Sequence, residues 1–128
     1  MARIPLVLLA FVISGCAQQI YSAQINMHNA CNTSVVATVN GLSNSGRDNA
    51  PVSISLSSHE TARVGSFIGF GCCDINAFLP DNYQITLAID RQYTILDRSK
   101  VISYVAEDQE KSSRASRFWL LDTKPFCQ

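Results

Sequence analysis

Apolar and polar residues alternate along two stretches of this chain, and that pattern limits the folds open to it. From Tyr83 to Asp90 every second residue is large and apolar, and from Val52 to Ser57 three apolar residues alternate with three serines. A period of two places the apolar side chains on one face of an extended strand. The other strand candidates are Gln24 to Ala30, Ser34 to Asn40, Ala62 to Phe67, Gln92 to Leu96, Val101 to Val105 and Arg117 to Asp122.

Turn-forming residues separate these strand candidates. They are Asn40-Gly41, Leu42 to Pro51, Pro80 to Asn82 and Asp97 to Lys100. Short strands at this spacing predict an all-β protein, a small antiparallel β-sandwich of Ig-like architecture without a helix.

Two further segments are less regular. The apolar, glycine-rich stretch Gly65 to Pro80 predicts either a bulged strand or a short helical insertion. The stretch Glu107 to Ser116 is polar and has no apolar stripe, so we predict an exposed hairpin loop there.

The N-terminus has the features of an export signal. Ten apolar residues, Ile4 to Ile13, follow Arg3. The run is too short to span a bilayer and matches a secretory signal in length. The sequence Ile13-Ser14-Gly15-Cys16 resembles the bacterial lipobox, which implies removal of residues 1–15 and lipidation of Cys16. Gly15-Cys16-Ala17 also fits an ordinary signal peptidase, which is the alternative interpretation.

The lipobox resemblance also predicts an address and a domain organisation. Acyl chains such as palmitate each contribute about 0.8 kcal/mol per buried methylene, so two or more attach a protein durably to a membrane. Ala17 follows the cysteine where an aspartate would signal retention, which by resemblance implies the outer membrane, with the protein on its periplasmic face. We predict a lipidated tether over residues 16–23 and a β-sandwich domain over residues 24–128.

Charge argues against nucleic acid as a partner. Removal of residues 1–15 leaves 128 − 15 = 113 residues, enough for one domain. Arg3 is lost with the signal, so nine basic residues remain against ten acidic ones, a formal charge of −1. The chain has no basic cluster, which a nucleic-acid-binding surface needs.

Four cysteines remain in the body of the chain, Cys31, Cys72, Cys73 and Cys127. An even number in an exported chain predicts two disulfides. A bond between Cys72 and Cys73 would strain their shared peptide, so we predict that each pairs with Cys31 or Cys127, in either order. Adjacent cysteines do not form the two separated pairs of a zinc site, so no metal or other cofactor is predicted.

The chain offers little for catalysis, and we predict that it is not an enzyme. Its histidines are His28, on the polar face of a strand candidate, and His59, in a turn. No G-x-S-x-G motif positions a serine, and the acidic residues are scattered through loops. Trp119 shares a strand face with Leu121, which favours a core anchor over a binding hot spot.

Three patches resemble the outer-membrane lipoprotein of type VI secretion systems. They are Gly46-Arg47 before Ala50 to Leu56, then Ser103 to Ala106, which matches a tyrosine strand, and Trp119, which follows the hairpin loop in an arginine-tryptophan strand. The resemblance implies a transthyretin-like β-sandwich that binds the periplasmic part of an inner-membrane-anchored partner.

The sequence thus favours a lipoprotein that docks a periplasmic domain of an envelope or secretion protein. Loops at the ends of a sandwich carry recognition, so the segments Leu42 to Asn49 and Glu107 to Ser116 are the candidate contacts. The predicted contact residues are Ser43, Asn44, Arg47, Asp48, Glu107, Asp108 and Arg114.

Two other classes of function are open. An inhibitor or ligand-binding lipoprotein requires either a protruding acidic or aromatic loop or an apolar pocket above about 300 Å³. A hydrolase requires His28 or His59 beside a serine and an acid in one cleft.

Overall fold

The structure is a computed structural model that describes residues 20–44, 50–70 and 74–127. Two four-stranded sheets share one core, with strand orders β4-β1-β8-β7 (sheet A) and β3-β2-β5-β6 (sheet B). This confirms the predicted β-sandwich. The strands are β1 Tyr21–His28, β2 Val35–Asn40, β3 Val52–Leu56, β4 Thr61–Gly69, β5 Gln84–Ile89, β6 Gln92–Leu96, β7 Ala106–Glu107 and β8 Ser116–Asp122.

The first and last strands of the fold pair in parallel. β1 and β8 run side by side from Ser22 opposite Ser116 to His28 opposite Asp122. The other strand pairs are antiparallel, as predicted. β1 begins at Tyr21, so the sheet extends into the last residues of the predicted tether.

The core forms where the alternating residues of both sheets meet. Ile85, Leu87 and Ile89 of β5 are buried while the residues between them are not. In β8, Trp119 and Leu121 are buried and Leu120 is exposed, so the interpretation of Trp119 as a core anchor is confirmed.

A bulge in β4 interrupts the pairing with β1. Ile25 lies opposite Gly65, but Asn26 lies opposite Arg63, so Val64 has no partner of its own. A side chain at Gly65 would place its Cβ 2.7 Å from the Phe67 ring, so the bulge depends on glycine. β4 is therefore a bulged strand, although its bulge lies one residue before the stretch in which one was predicted.

The rest of the glycine-rich stretch, as far as it is described, forms a short helical insertion. A single 3₁₀ turn covers Ile75–Ala77 and is capped by the carboxylate of Asp74, which accepts from the N–H of Asn76.

The predicted strand Val101 to Val105 is wrong, as is the turn before it. Residues Arg98–Tyr104 form a helix, α1, capped by Asp97, whose carboxylate accepts from the N–H of Lys100. This hydrogen bond lowers the pKa of Asp97. The apolar residues at 101, 102 and 105 fit a helical period as well as a strand, and the cap decides between them. The resemblance-based tyrosine strand is therefore helical at Ser103 and Tyr104.

The predicted disulfide pairing is also wrong. Cys31 and Cys127 are bonded to each other, with their Cα atoms 5.3 Å apart, so neither is available to Cys72 or Cys73. The parallel pairing of β1 and β8 explains the bond, because both strands end at the same edge and each is followed by a cysteine. Cys72 and Cys73 lie outside the described residues, so the described part of the chain contains one disulfide where two were predicted.

Candidate functional site

Strand direction divides the sandwich into two ends. The starts of β1 and β8 and the finish of β4 lie together, since Tyr21 is opposite Gly69 and Ser22 is opposite Ser116. We call this the tether end, because β1, which follows the predicted tether in sequence, begins here. The disulfide lies at the opposite, far end.

The first predicted contact loop is fastened to the tether end. The side chain of Asn44 donates to the carbonyl of Ile68 at 2.6 Å and accepts from its N–H at 2.9 Å. Ser43 forms a parallel bridge with Ser66. Both predicted residues therefore hold their loop against the edge of β4. Arg47 and Asp48 lie outside the described residues, as does Gly46 of the family resemblance.

The second predicted loop, the hairpin, is confirmed at the same end. It connects β7 to β8, and the N–H of Asp108 donates to the carbonyl of Phe118 at 2.7 Å. Glu107 forms an ion pair with Arg117 at 2.9 Å. Arg114 is exposed. Within this loop, Arg114 is thus the predicted residue most open to a partner.

The two loops lie at one end of the fold but not side by side. The described part of the first, residues 42–44, lies along β4, and the second leads into β8 from β7, with β1 between β4 and β8. Neighbouring strands are about 4.8 Å apart, so β4 and β7 are separated by roughly 14 Å. A partner that touches both loops must span the end of sheet A.

A buried polar network closes the far end. Asn29 is fully buried, and its side-chain amide donates to the carbonyls of Thr33, Leu56 and Ser57 at 2.9 to 3.1 Å. Its side-chain oxygen accepts from the N–H of Cys31 at 2.9 Å. The network joins the β1–β2 loop to the β3–β4 turn, so its role is structural.

The histidines also lie at the far end. Nδ1 of His28 is 2.9 Å from the hydroxyl of Thr61, and the rings of His28 and His59 are 6.4 Å apart. His59 has a φ of 66° in the turn between β3 and β4. Their contacts within the described ranges include no serine hydroxyl, which a hydrolase triad would need. Three or more His, Cys, Asp or Glu side chains that could hold a metal ion are not found together among the described residues.

A shallow cleft of about 330 Å³ lies beside the start of α1. Its walls are about as polar as they are apolar, and Arg98, one of the lining residues, already donates to the carbonyls of Leu79 and Asn76 at 3.3 and 2.9 Å. It is therefore not the apolar pocket expected of a small-ligand carrier. The lining residues are Asp81, Asn82, Tyr83, Gln84, Asp97, Arg98 and Ser99.

The sequence reasoning did not single out the outer face of sheet B. Three apolar side chains on it are exposed, Val36 at 38%, Ile95 at 56% and Tyr93 at 77%. Tyr93 and Ile95 lie together on β6, an edge strand. The sequence did contain a signal for this face. In the segment Gln92 to Leu96, apolar residues occur on both faces of the strand, whereas a strand with one buried face needs them on that face only.

Comparisons with known proteins do not assign the chain to a family. No family model matches it, and no curated protein or solved structure matches it either. In the described part of the chain, no helix combines the length and apolar character needed to cross a membrane.

Proposed function

We propose that this chain is an outer-membrane-anchored lipoprotein, attached through Cys16 and without enzymatic activity, that docks a periplasmic domain of another envelope protein. The signal-like N-terminus, the lipobox and Ala17 support the address. A single small β-sandwich with exposed end loops supports a recognition role.

The position of Tyr21 is the main observation that supports docking close to the membrane. Cys16 precedes Tyr21 by five residues, which extend over at most about 17 Å. Tyr21 lies at the end that also carries both predicted contact loops. A lipid on Cys16 therefore holds these loops close to the membrane, where a partner that crosses the periplasm would reach them.

The most concrete version is the docking lipoprotein of a type VI secretion system, with a transthyretin-like sandwich. The described hairpin supports it, since a loop precedes Arg117 and Trp119 as in the family pattern. The helix at Ser103 and Tyr104 departs from that pattern.

The address is tested by mass spectrometry of the mature protein. We expect an N-terminal Cys16 that carries a diacylglycerol. A chain that begins at residue 18 or later without lipid would contradict the proposal.

Docking is tested by cross-linking in intact cells followed by purification of the lipidated protein. We expect an inner-membrane component in the purified complex. The double variant Lys111→Glu/Arg114→Glu changes two exposed cations at the tether end and should reduce its recovery at least tenfold. Lys124→Glu changes an exposed cation at the far end, just after β8, and should have no effect. Equal recovery of the inner-membrane component with the wild type, the double variant and the control variant would show that the hairpin loop does not contact the partner.

An inhibitor of a periplasmic or surface protein is the second candidate. The exposed carboxylate of Glu110 in the hairpin loop favours it, because an exposed acidic side chain on a loop suits insertion into a cleft. Capture of a soluble enzyme in the same experiment, in place of an inner-membrane protein, would support this alternative.

A further inference from the structure

Strand β6 forms an edge of sheet B that lacks the usual protection. In the described part of the chain it pairs only with β5. Its sequence, Gln-Tyr-Thr-Ile-Leu, contains no charge and no proline. Exposed edges normally carry charges, prolines or bulges, which block pairing with another strand.

The other three edges are protected or less apolar. β4 contains Arg63 and the bulge at Val64, and β7 has two residues. β3 presents Ser53 and Ser55 on its outer face, and it lies against β4. β4 also exposes an apolar side chain, Ile68 at 49%, but Asn44 bonds to both backbone groups of that residue. An apolar outer face on an edge without a bound loop is therefore specific to β6 among the described strands.

The hairpin between β5 and β6 fixes which backbone groups face the open edge. Its loop has two residues, Asp90 and Arg91, and Asp90 has a φ of 55°. In such a hairpin the flanking residues, here Ile89 and Gln92, exchange hydrogen bonds, and the pattern then alternates along the strands. The backbone N–H and C=O groups of Tyr93 and Ile95 therefore point away from β5.

We propose that two copies of this chain associate through antiparallel pairing of their β6 strands, with Thr94 on the two-fold axis. In this register Tyr93 of each copy exchanges hydrogen bonds with Ile95 of the other. Their exposed side chains, open at 77% and 56%, then form aromatic and β-branched cross-strand pairs. Sheet B becomes one sheet of eight strands across the two copies.

Charge complementarity favours a second copy of this chain as the partner of β6 and favours one alignment of the two strands. With Thr94 on the axis, Arg91 of one copy lies opposite Asp97 of the other, and the symmetry repeats the pair at the other end. Both residues are exposed in the single chain. A shift by one strand period in either direction places Arg91 opposite Ile95 or Asp97 opposite Tyr93. The strand is thus complementary to itself in one register.

Association is measured by native mass spectrometry of the full chain, purified with its mature N-terminus in detergent, over a concentration series. Ile95→Lys places a lysine on the pairing edge of each copy, which is how natural edge strands resist pairing, and should raise the dissociation constant at least tenfold. Ser55→Lys makes the same change at the equivalent position of β3 and should leave it unchanged. Near-identical fluorescence of Trp119 in both variants excludes misfolding.

The charge pairs are tested without disturbing α1. In Arg91→Glu, the new carboxylate of each copy lies opposite Asp97 of the other copy, at both ends of the paired β6 strands. This repulsion should weaken association at least threefold. Asp97→Asn retains an oxygen that caps the helix, so adding it to Arg91→Glu should recover most of the loss.

The register is tested by oxidation. Thr94→Cys should give a disulfide-linked dimer on a non-reducing gel, because facing residues at a non-hydrogen-bonded position lie within disulfide reach. Tyr93→Cys alone and the wild type, treated alike, should not.

Three results would overturn the proposal. They are a chain that is monomeric throughout the series, a dimer that Ile95→Lys leaves intact, and cross-linking at 93 but not at 94. A different envelope protein bound along β6 in place of a second copy would overturn it as well. None of these outcomes depends on the lipid at Cys16, so the docking function is tested separately.

Discussion

Asn29 shows how much of the far end depends on one side chain. Its amide and carbonyl satisfy backbone groups of the β1–β2 loop and of the β3–β4 turn, in a position without access to water. Asn29→Ala removes the partner of the buried N–H of Cys31 and of the buried carbonyl of Leu56, so we expect a loss of about 3 kcal/mol in the free energy of unfolding. Urea unfolding followed by Trp119 fluorescence measures it.

Asn32 provides the control for this prediction. It is exposed in the same loop, so Asn32→Ala should change the free energy of unfolding by less than about 0.5 kcal/mol. Equal losses in both variants would show that the network around Asn29 does not stabilise the fold.

Tyr83 gives stability a dependence on alkaline pH. Its hydroxyl donates to the carbonyl of Val64 at 2.7 Å within the core, and burial raises its pKa well above the ordinary value. The folded state therefore retains a proton that the unfolded state releases above about pH 10. The stabilisation that the protonated Tyr83 hydroxyl provides is therefore complete below about pH 10. Above that pH, the free energy of unfolding should fall by roughly 1.4 kcal/mol per pH unit until the pH reaches the folded-state pKa.

The variant Tyr83→Phe separates these effects. At pH 7 it should lose about 1 to 2 kcal/mol, because the carbonyl of Val64 loses its donor. Above pH 10 its stability should decline less steeply than that of the wild type in urea titrations. Tyr93→Phe, at a position that is 77% exposed, should follow the wild-type curve. Parallel curves for Tyr83→Phe and the wild type would refute the role of Tyr83.

At the scale of elements, periodicity located the strands and failed at one helix. The β5 and β3 patterns are unambiguous, because polar residues alternate with apolar ones in a single phase. Val101, Ile102 and Val105 fit both periods, and a helix of 7 residues is too short for the difference to show. Asp97 carried the missing information, since aspartate is a preferred N-cap.

The helix also contributes to the core through one residue, which can be tested. Val101 is fully buried, whereas Lys100 beside it is exposed. Val101→Ala deletes two methyl groups and should cost about 1 to 3 kcal/mol in the free energy of unfolding. Lys100→Ala should be neutral within about 0.5 kcal/mol in the same urea titration.

At the scale of the molecule, the cysteine pairing and the site were set by strand order, which the sequence does not encode locally. Neighbouring residues predict turns and strands, but nothing near Cys31 or Cys127 indicates that β1 and β8 are parallel neighbours. The same pairing brings Ser116 beside Ser22 and thus places the hairpin loop near the tether. Two loops predicted from composition therefore share one end for a reason that only the topology supplies.

The disulfide should stabilise the molecule by restricting its unfolded state. It joins residues separated by 96 positions, for which the loop-closure estimate is about 4 to 5 kcal/mol at most. The double variant Cys31→Ser/Cys127→Ser should lose most of this in urea unfolding. A peptide digest of the wild type without reductant should contain the linked pair, and a pair between Cys31 and Cys72 or Cys73 would contradict the structure.

Strand direction and a short tether together predict how the molecule is oriented on a membrane. If Cys16 carries lipid, the hairpin loop with Arg114 faces the bilayer, and the β5–β6 turn with Arg91 lies at the far end, because β1 runs away from the tether and Ile89 pairs with Val35 there. A tryptophan introduced by Arg114→Trp should therefore be quenched by brominated lipids in vesicles more strongly than one introduced by Arg91→Trp. Trp119 is buried at 6% exposure and contributes the same background to both proteins. Equal quenching would mean that the sandwich lies on its side, which would bring β6 or β3 to the membrane and leave the loops free.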